Sequence, residues 1–299
     1  MVKERVLVTG ATGKQGSAVA RRLLSEGWHV RIMTRQPGGD SAQRLTALGA
    51  QAVRADFEDR ASVQAALQDV AAVFSVQTPG PHERNHGSLL VEEARRSGVR
   101  HFIHTSAAAV SRHTTFPRWG TGYWYDDYWR AKWYVEEKVR AAGFSRYTVL
   151  RPAFLMENFV PPAVARMFPD LRRGELATAM QRDTVVDLVS TEDVGAFVAA
   201  ALHAPERFSG HSIDLAAVAP TIGQIGEMLT TALGREISVV ELSPQQAIAR
   251  GQSRGWVRGQ QWTSEVGYGV DIDAQATYQV PLTSFAAWAA ANRSRFAFD

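Results

Sequence analysis

The stretch "RVLVTGATGKQGSAVARRLL" (5–24) constrains this chain more than any other feature. A β-branched run enters it, an amphipathic helical run leaves it, and Gly10, Gly13 and Gly16 punctuate the turn between them. Glycines so placed let the backbone turn sharply and approach an anion at a helix N-terminus. Free N–H groups and the positive end of the helix dipole can hold a phosphate there. The same spacing also suits a tight turn without a ligand. Its position at the first strand–helix junction of an alternating chain favours the nucleotide reading. Gly10, Thr12, Gly13, Lys14, Gln15 and Gly16 are therefore expected cofactor contacts.

The alternation continues along the first half. Strand-like runs at 5–10, 29–35, 50–56, 71–77 and 100–106 alternate with helical runs at 16–27, 42–49, 60–69 and 86–98. A further helix contains "YWRAK" (128–132), and the strand "RYTVLRP" (146–152) follows. Strands and helices at this interval predict an α/β fold, a doubly wound parallel sheet of the Rossmann type covered on both faces. Beyond 152 the regularity weakens. "DTVVDLVS" (183–190) and "HSIDLAA" (211–217) are expected to return to the sheet, with Ser190 and Asp193 forming a capping box for the helix after them. Segments 152–182 and 218–299, with helices at 221–234 and 284–293, are assigned to a smaller C-terminal substrate lobe over the sheet's carboxyl edge. Residues 1–151 and 183–217 then form the nucleotide-binding unit.

Composition narrows the function. The 299 residues, 45% hydrophobic and 21% charged, fit a soluble globular protein and exclude disorder. The absence of cysteine excludes disulfides, thiolate metal sites and a cysteine nucleophile. A net charge of +3 with scattered basic residues gives no nucleic-acid patch. The first residues carry no signal-peptide pattern and the apolar runs are too short for a bilayer, so a cytoplasmic protein without a membrane partner is expected.

The second strand ends in "MTRQ", with Arg35 where an NAD-binding chain usually places a ribose-binding acid. Together with Lys14 it favours a 2′-phosphate, hence NADP(H), although Arg35 also suits a plain exposed strand end. Asp56 and Phe57, ending the third strand, are placed to meet the adenine amino group and ring. A helix N-cap role for Asp56 or Asp59 is compatible with this.

"VTGATGKQG", "TVLRPAFLMENFV" (148–160) and "VSTEDVGAFVAAAL" (189–202) resemble the NmrA-like branch of the atypical short-chain dehydrogenases over nearly the whole chain. The resemblance implies NADP(H) binding and either reductase activity or a redox-sensing role without turnover, the latter with a protein partner. In the wider superfamily the reactive residues are a Ser, a Tyr and a Lys four positions after the Tyr, and Tyr128 and Lys132 match that pair. One helical turn brings both to one face. Lys132 is expected to hold the nicotinamide ribose and to lower the Tyr128 pKa, so that Tyr128 can protonate a carbonyl as hydride arrives. Taken alone, the pair better fits two neighbours on a surface helix; the glycine turn and its place after the fifth strand favour the functional reading.

The third member is less clear. Alignment puts the reactive Ser nearest Ala107, with Ser106 and Thr105 just before it, and strand alternation gives Thr105 the better direction. Phe154, Met156 and Asn158 are expected at the nicotinamide end, with Asn158 as the polar contact. The aromatics Phe116, Trp119, Tyr123, Trp124, Tyr125 and Tyr134 could line a pocket for a flat quinone or aromatic substrate, while Trp129 and Trp133 are assigned to packing.

His82-Glu83-x-x-His86 fits the zinc-protease pattern, but Pro81 marks a helix start and no third ligand stands out, since Glu92 and Glu93 lie too near. It is read as a partly exposed helix start, with no metal expected. No Gly-x-Ser-x-Gly elbow supports a hydrolase. The favoured expectation is an NADPH-dependent reductase of a small quinone or carbonyl compound. The second is a non-catalytic NADP(H) sensor, and a sugar-nucleotide epimerase is third.

Overall fold

Side-chain alternation in the first strand sets the layering. Val6 and Val8 pack on one face of the sheet and Leu7 on the other, as the two-residue strand period requires. The computed structural model describes residues 4–296 and 298. Residues 1–3, 297 and 299, which the expected unit boundaries include, lie outside the described residues.

The first half runs β1 (Arg5–Val8), α1 (Lys14–Ser25), β2 (His29–Thr34), α2 (Asp40–Ala47), β3 (Gln51–Arg54), α3 (Arg60–Ala66), β4 (Ala72–Ser75), α4 (Glu83–Arg96), β5 (His101–Thr105), α5 (Asp126–Ala141) and β6 (Arg146–Pro152). The second half runs β7 (Phe154–Leu155), α6 (Val164–Met167), β8 (Glu175–Thr178), β9 (Leu188–Val189), α7 (Thr191–His203), α8 (Pro205–Phe208), β10 (His211–Leu215), α9 (Ile222–Leu233), β11 (Ser238–Glu241), α10 (Pro244–Ala249), α11 (Arg254–Glu265) and α12 (Phe285–Ala291). The central sheet has seven parallel strands in the order β10-β6-β5-β4-β1-β2-β3. The direction of winding reverses between β1 and β4, and ligands of such sheets bind in the crevice outside the carboxyl ends at that point. The Rossmann-type α/β fold is therefore present.

One expected strand does not join this sheet. Of 183–190 only Leu188–Val189 forms a strand, and it pairs with β7 in a separate two-stranded ladder. The cause is geometric: β10 already occupies the ladder beside β6, so the run pairs with the chain leaving β6 instead. The capping box at Ser190 forms, with Asp193 N–H donating to Ser190 Oγ at 3.0 Å.

One sheet face buries Ile32, Phe74 and Ile213 against Val19 and Leu23 of α1 and Val194 and Phe197 of α7. The other buries Val73, Phe102 and Val149 against Val63, Leu90 and Val139 of α3, α4 and α5. A further core gathers Phe159, Phe168, Leu176, Ile225, Leu229 and Trp288 from the second half of the chain. Tyr278, Val280 and Leu282 run back onto the first core. Among the described residues no helix is long and apolar enough to cross a membrane.

Close packing of α4 on α5 depends on Gly87, where a Cβ would fall 2.5 Å from Val135 Cγ2. Gly87→Ala is expected to cost about 1–3 kcal/mol by overpacking. Urea denaturation checks this, and adding Val135→Ala should recover part of the loss, giving a non-additive double-mutant cycle.

Candidate active site

The turn after β1 is built for close backbone approach. Gly10 has φ +57°, a conformation costly for other residues, and a Cβ there would lie 2.5 Å from Val76 Cγ1. A Cβ on Gly16 would fall on the Gly10 carbonyl. Gly13 is the N-cap of α1 and supplies no side-chain cap, so the first N–H groups of this helix are left for another acceptor. A glycine cradle with an uncapped helix N-terminus fits a dinucleotide phosphate.

Beside the turn lies a cleft of about 670 Å³, lined from the carboxyl ends of the first four strands. Gly10 and Thr12 contribute from the glycine turn, Arg35 from the end of β2, Asp56 and Phe57 from the end of β3, and Thr78–Pro81 from the end of β4. Arg35 is exposed and makes no ion pair or hydrogen bond among the described residues. The local helix cap is Asp59, which accepts from Ala61 N and Ser62 N at 3.1 and 3.3 Å. Asp56 Oδ1 accepts from Glu58 N at 3.1 Å within its own turn. Phe57 stacks on His86, with ring centroids 4.9 Å apart.

Lys14 does not join Arg35. Its ammonium donates to Asn158 Oδ1 at 2.6 Å, and it is absent from the cleft lining. Lys14 opens α1 and its side chain runs toward the short helical turn at 156–159, away from the end of β2. The two cations thus occupy different ends of the site and cannot serve one 2′-phosphate together. Burial lowers the Lys14 pKa to about 8; Glu157 opposes this, while Arg166 and Arg295 add to it. Phe154 packs into the further core, its ring centroid 5.7 Å from that of Phe159 and 5.4 Å from that of Trp256, and Met156 is fully buried there. Their side chains are core rather than cleft. Between them and Asn158, Glu157 accepts from Thr191 N at 3.1 Å and Trp288 Nε1 at 3.2 Å, bracing the start of α7.

Lys132 and Tyr128 share one face of α5, but the expected electrostatics are reversed. Lys132 is buried, and its ammonium pairs with Glu83 Oε1 at 2.7 Å. Its nitrogen lies 5.7 Å from the centre of the Tyr128 ring. Burial pushes the Tyr128 pKa up, and the Glu83 carboxylate pushes it further. Burial is the larger cause, and the lysine charge that would oppose it is already paired with Glu83. The helix start is partly exposed as expected, with His82, Arg84 and Asn85 open to solvent, but Glu83 within it is buried.

Around the pair lies a polar network. Gln77 Nε2 donates to Ser75 Oγ at 2.9 Å, and Ser75 Oγ lies 3.3 Å from His104 Nδ1. Burial, with Lys132 next, lowers the His104 pKa to about 3, so this imidazole is neutral. Gln77 Oε1, Glu83 Oε2 and His104 Nε2 are buried without a hydrogen-bond partner among the described residues. Thr105 Oγ1 donates to Gln15 Oε1 at 2.7 Å, which ties the end of β5 to the glycine turn. Ser106 lies instead against Glu136. Burial alone would raise the Glu136 carboxyl, but Arg151, Ser106 and Arg140 outweigh it and hold it low. Of the two hydroxyls, Thr105 is the one on the glycine-turn side.

Phe116, Trp124 and Trp129 are buried, Trp119, Tyr123 and Trp133 are half-buried, and Tyr125 and Tyr134 are exposed. Trp262 and Tyr268 join this cluster from the C-terminal part, with Trp262 centroids 4.7 Å from Trp129 and 4.9 Å from Tyr268. Neither residue carries a sequence signal that points to the site. Glu83 had one, the zinc-protease pattern, but it pointed to different chemistry. That pattern separates in space: Glu83 turns inward to Lys132, while His82 and His86 meet Glu58.

A parallel sheet with a glycine cradle at its switch point and a lysine buried in the helix after β5 defines a doubly wound α/β protein of the Rossmann type. The chain belongs to the NmrA-like family, whose model matches residues 2–274. It is 31% identical over 211 residues to the NmrA-like family domain-containing oxidoreductase malD of Malbranchea aurantiaca, covering 64% of this chain and 61% of that protein. It is 33% identical over 243 residues to the (4-alkanoyl-5-oxo-2,5-dihydrofuran-3-yl)methyl phosphate reductase of Streptomyces griseus, covering 79% of this chain and 77% of the relative. Among solved structures it is similar to an NADPH-dependent quinone oxidoreductase from Escherichia coli complexed with NADPH. The TM-score is 0.75 at 22% identity, covering 96% of this chain and 99% of that one.

Removing one partner of a buried ion pair leaves the other charge uncompensated, at a cost of about 3–5 kcal/mol. Glu83→Ala and Lys132→Met are each expected to fall in that range by chemical denaturation. The double variant should cost clearly less than their sum; additive losses would show that the pair is not coupled.

Proposed function

We propose that this protein is an NADPH-dependent reductase of the NmrA-like type, acting on a small quinone or carbonyl compound. The observation that carries this reading is a buried Lys132, with Tyr128 one turn before it, on the helix that follows β5 of a nucleotide-binding sheet. Bound NADPH would supply hydride from C4 of its nicotinamide.

The chain's own residues would bind and orient. Gly10, Gly13, Gly16 and the free N–H groups of α1 receive the pyrophosphate, and Thr12 and Gln15 flank it. Arg35, without a partner among the described residues, takes the 2′-phosphate, and Asp56 and Phe57 form the adenine end of the cleft. Lys14 and Asn158 act as one polar unit beyond the glycine turn, and Lys132 holds the ribose hydroxyls. Tyr128 keeps its proton at neutral pH, as an ordinary phenol does, and burial and Glu83 hold it there more firmly. It therefore acts as a donor to the substrate oxygen and not as a base. Thr105 replaces the reactive serine of the wider superfamily as the hydroxyl nearest the glycine turn.

A second reading, a non-catalytic NADP(H) sensor with a protein partner, is favoured by one observation: Glu83 takes the Lys132 charge that would otherwise activate Tyr128. NADPH oxidation against a panel of quinones and aldehydes separates the two. Firm NADPH binding with no turnover on any acceptor would support the sensor. Arg35→Ala is expected to weaken NADPH binding by about tenfold or more while changing NADH binding little, the loss of one charge-assisted phosphate contact. Equal losses for both would remove the 2′-phosphate assignment.

Lys14 gives a pH test. An ammonium with a pKa of about 8 loses its proton as pH rises through that value, so its attraction for an anionic cofactor is present below pH 8 and fades above it. NADPH affinity measured from pH 7 to 9.5 should fall across this window in the native protein. The fall should flatten in Lys14→Met.

A further inference from the structure

We propose that Glu58, His82 and His86 form a surface site for one divalent transition-metal ion of the zinc type. The ligand atoms of the three side chains all lie within 4.8 Å of one another. Glu58 Oε1 is 2.7 Å from His86 Nε2 and 3.7 Å from His82 Nδ1, so both imidazoles converge on one carboxylate oxygen. Zinc with nitrogen and oxygen ligands at about 2.0–2.2 Å places neighbouring donor atoms roughly 3.3 Å apart. The observed donor separations of 2.7 and 3.7 Å bracket that spacing.

A hydrogen bond from His86 to Glu58 would by itself need no second histidine. His82 adds one, its ring stacked on His86 at 5.5 Å and 19°. As N-cap of α4 it makes no side-chain capping bond, so capping does not account for its presence. Two imidazoles with a carboxylate select borderline cations over magnesium or calcium, which prefer all-oxygen shells. The chemistry is not that of the zinc-protease pattern, because Glu83 is buried on Lys132 and cannot reach a metal-bound water. An ion here would instead tie the turn after β3 to the first turn of α4. His82 and His86 also line the nucleotide cleft, and Glu83 follows His82 directly, so the clip would brace the cleft rim and the residue that holds Lys132.

Isothermal titration of chelator-treated protein with zinc chloride, without nucleotide, tests the site independently of any cofactor or activity. One zinc per chain is expected, with magnesium chloride giving no binding in the same range. Glu58→Ala and His86→Ala should each weaken zinc by about tenfold or more. His29→Ala, which removes an exposed histidine elsewhere, should leave zinc affinity unchanged. Zinc should also raise the unfolding temperature of the native protein and of His29→Ala, but not of the two ligand variants. Zinc affinity that persists in Glu58→Ala and His86→Ala, or that does not exceed magnesium affinity, would overturn the proposal.

Discussion

The carboxyl ends of β4 and β5 depend on how one ammonium group is kept out of water. An unpaired charge in such a place costs several kcal/mol, and Lys132 avoids this through Glu83 at 2.7 Å. The supply of partners extends along one helix face. Tyr128, Lys132, Glu136 and Arg140 recur at four-residue spacing on α5, so each turn presents an ionisable group to the same side. Glu136 in turn holds Arg151 of β6 through two hydrogen bonds of 2.8 and 3.0 Å. Two buried ion pairs one turn apart, with a neutral His104 beside them, fix α5 against α4 through Glu83 and against the sheet through Arg151. They leave a row of polar atoms with unused capacity: Gln77 Oε1, Glu83 Oε2 and His104 Nε2. In a buried setting such atoms are costly unless something polar meets them, which is why this end suits a ligand with hydroxyl and amide groups.

The glycine turn sits between two unlike cations. Arg35 is exposed and unpaired on the cleft rim, where a solvated guanidinium can meet a mobile phosphate in a fork geometry. Lys14 is partly buried and bound to Asn158, and burial depresses its pKa. One is an open receptor and the other a tuned, positioned group. Their separation follows from the chain path: Arg35 leaves the end of β2, whereas Lys14 begins α1 and leans toward the turn after β7. Under the proposed reading this leaves cofactor discrimination to Arg35.

Much of this was legible in the sequence because it is local. The glycine turn, the strand–helix alternation through β6 and the Ser190 capping box each follow from spacing within a few residues. What was not legible depends on partners far apart in the chain. The run 183–190 has strand composition, but whether it reaches the central sheet depends on β10 having taken the place beside β6. Lys14 looks like a companion of Arg35 until Asn158, 144 residues away, claims it. Glu83 stands inside a recognisable histidine motif, and only its contact with Lys132 reveals that its neighbours and it point in opposite directions. Glu58 could not be paired with those histidines from spacing, since it sits on a different turn. Trp262 and Tyr268 reach the aromatic cluster from a segment with no motif at all.

The Glu83–Lys132 pair also bears on the direction of any chemistry at Tyr128. A lysine whose charge was free would draw the phenol toward ionisation and let it serve as a base for alcohol oxidation. Here the nearest carboxylate does the opposite, and Tyr268, also raised by burial and by Tyr128 and Asp187, is a second phenol that keeps its proton. Two neutral phenols beside one aromatic wall can donate hydrogen bonds to an acceptor oxygen, but neither can take a proton from an alcohol at neutral pH. Under the proposed reading this favours reduction over oxidation. It also favours quinones over simple ketones, because a quinone oxygen gains its negative charge over a conjugated ring and needs only a hydrogen-bond donor, not full proton transfer, as hydride arrives.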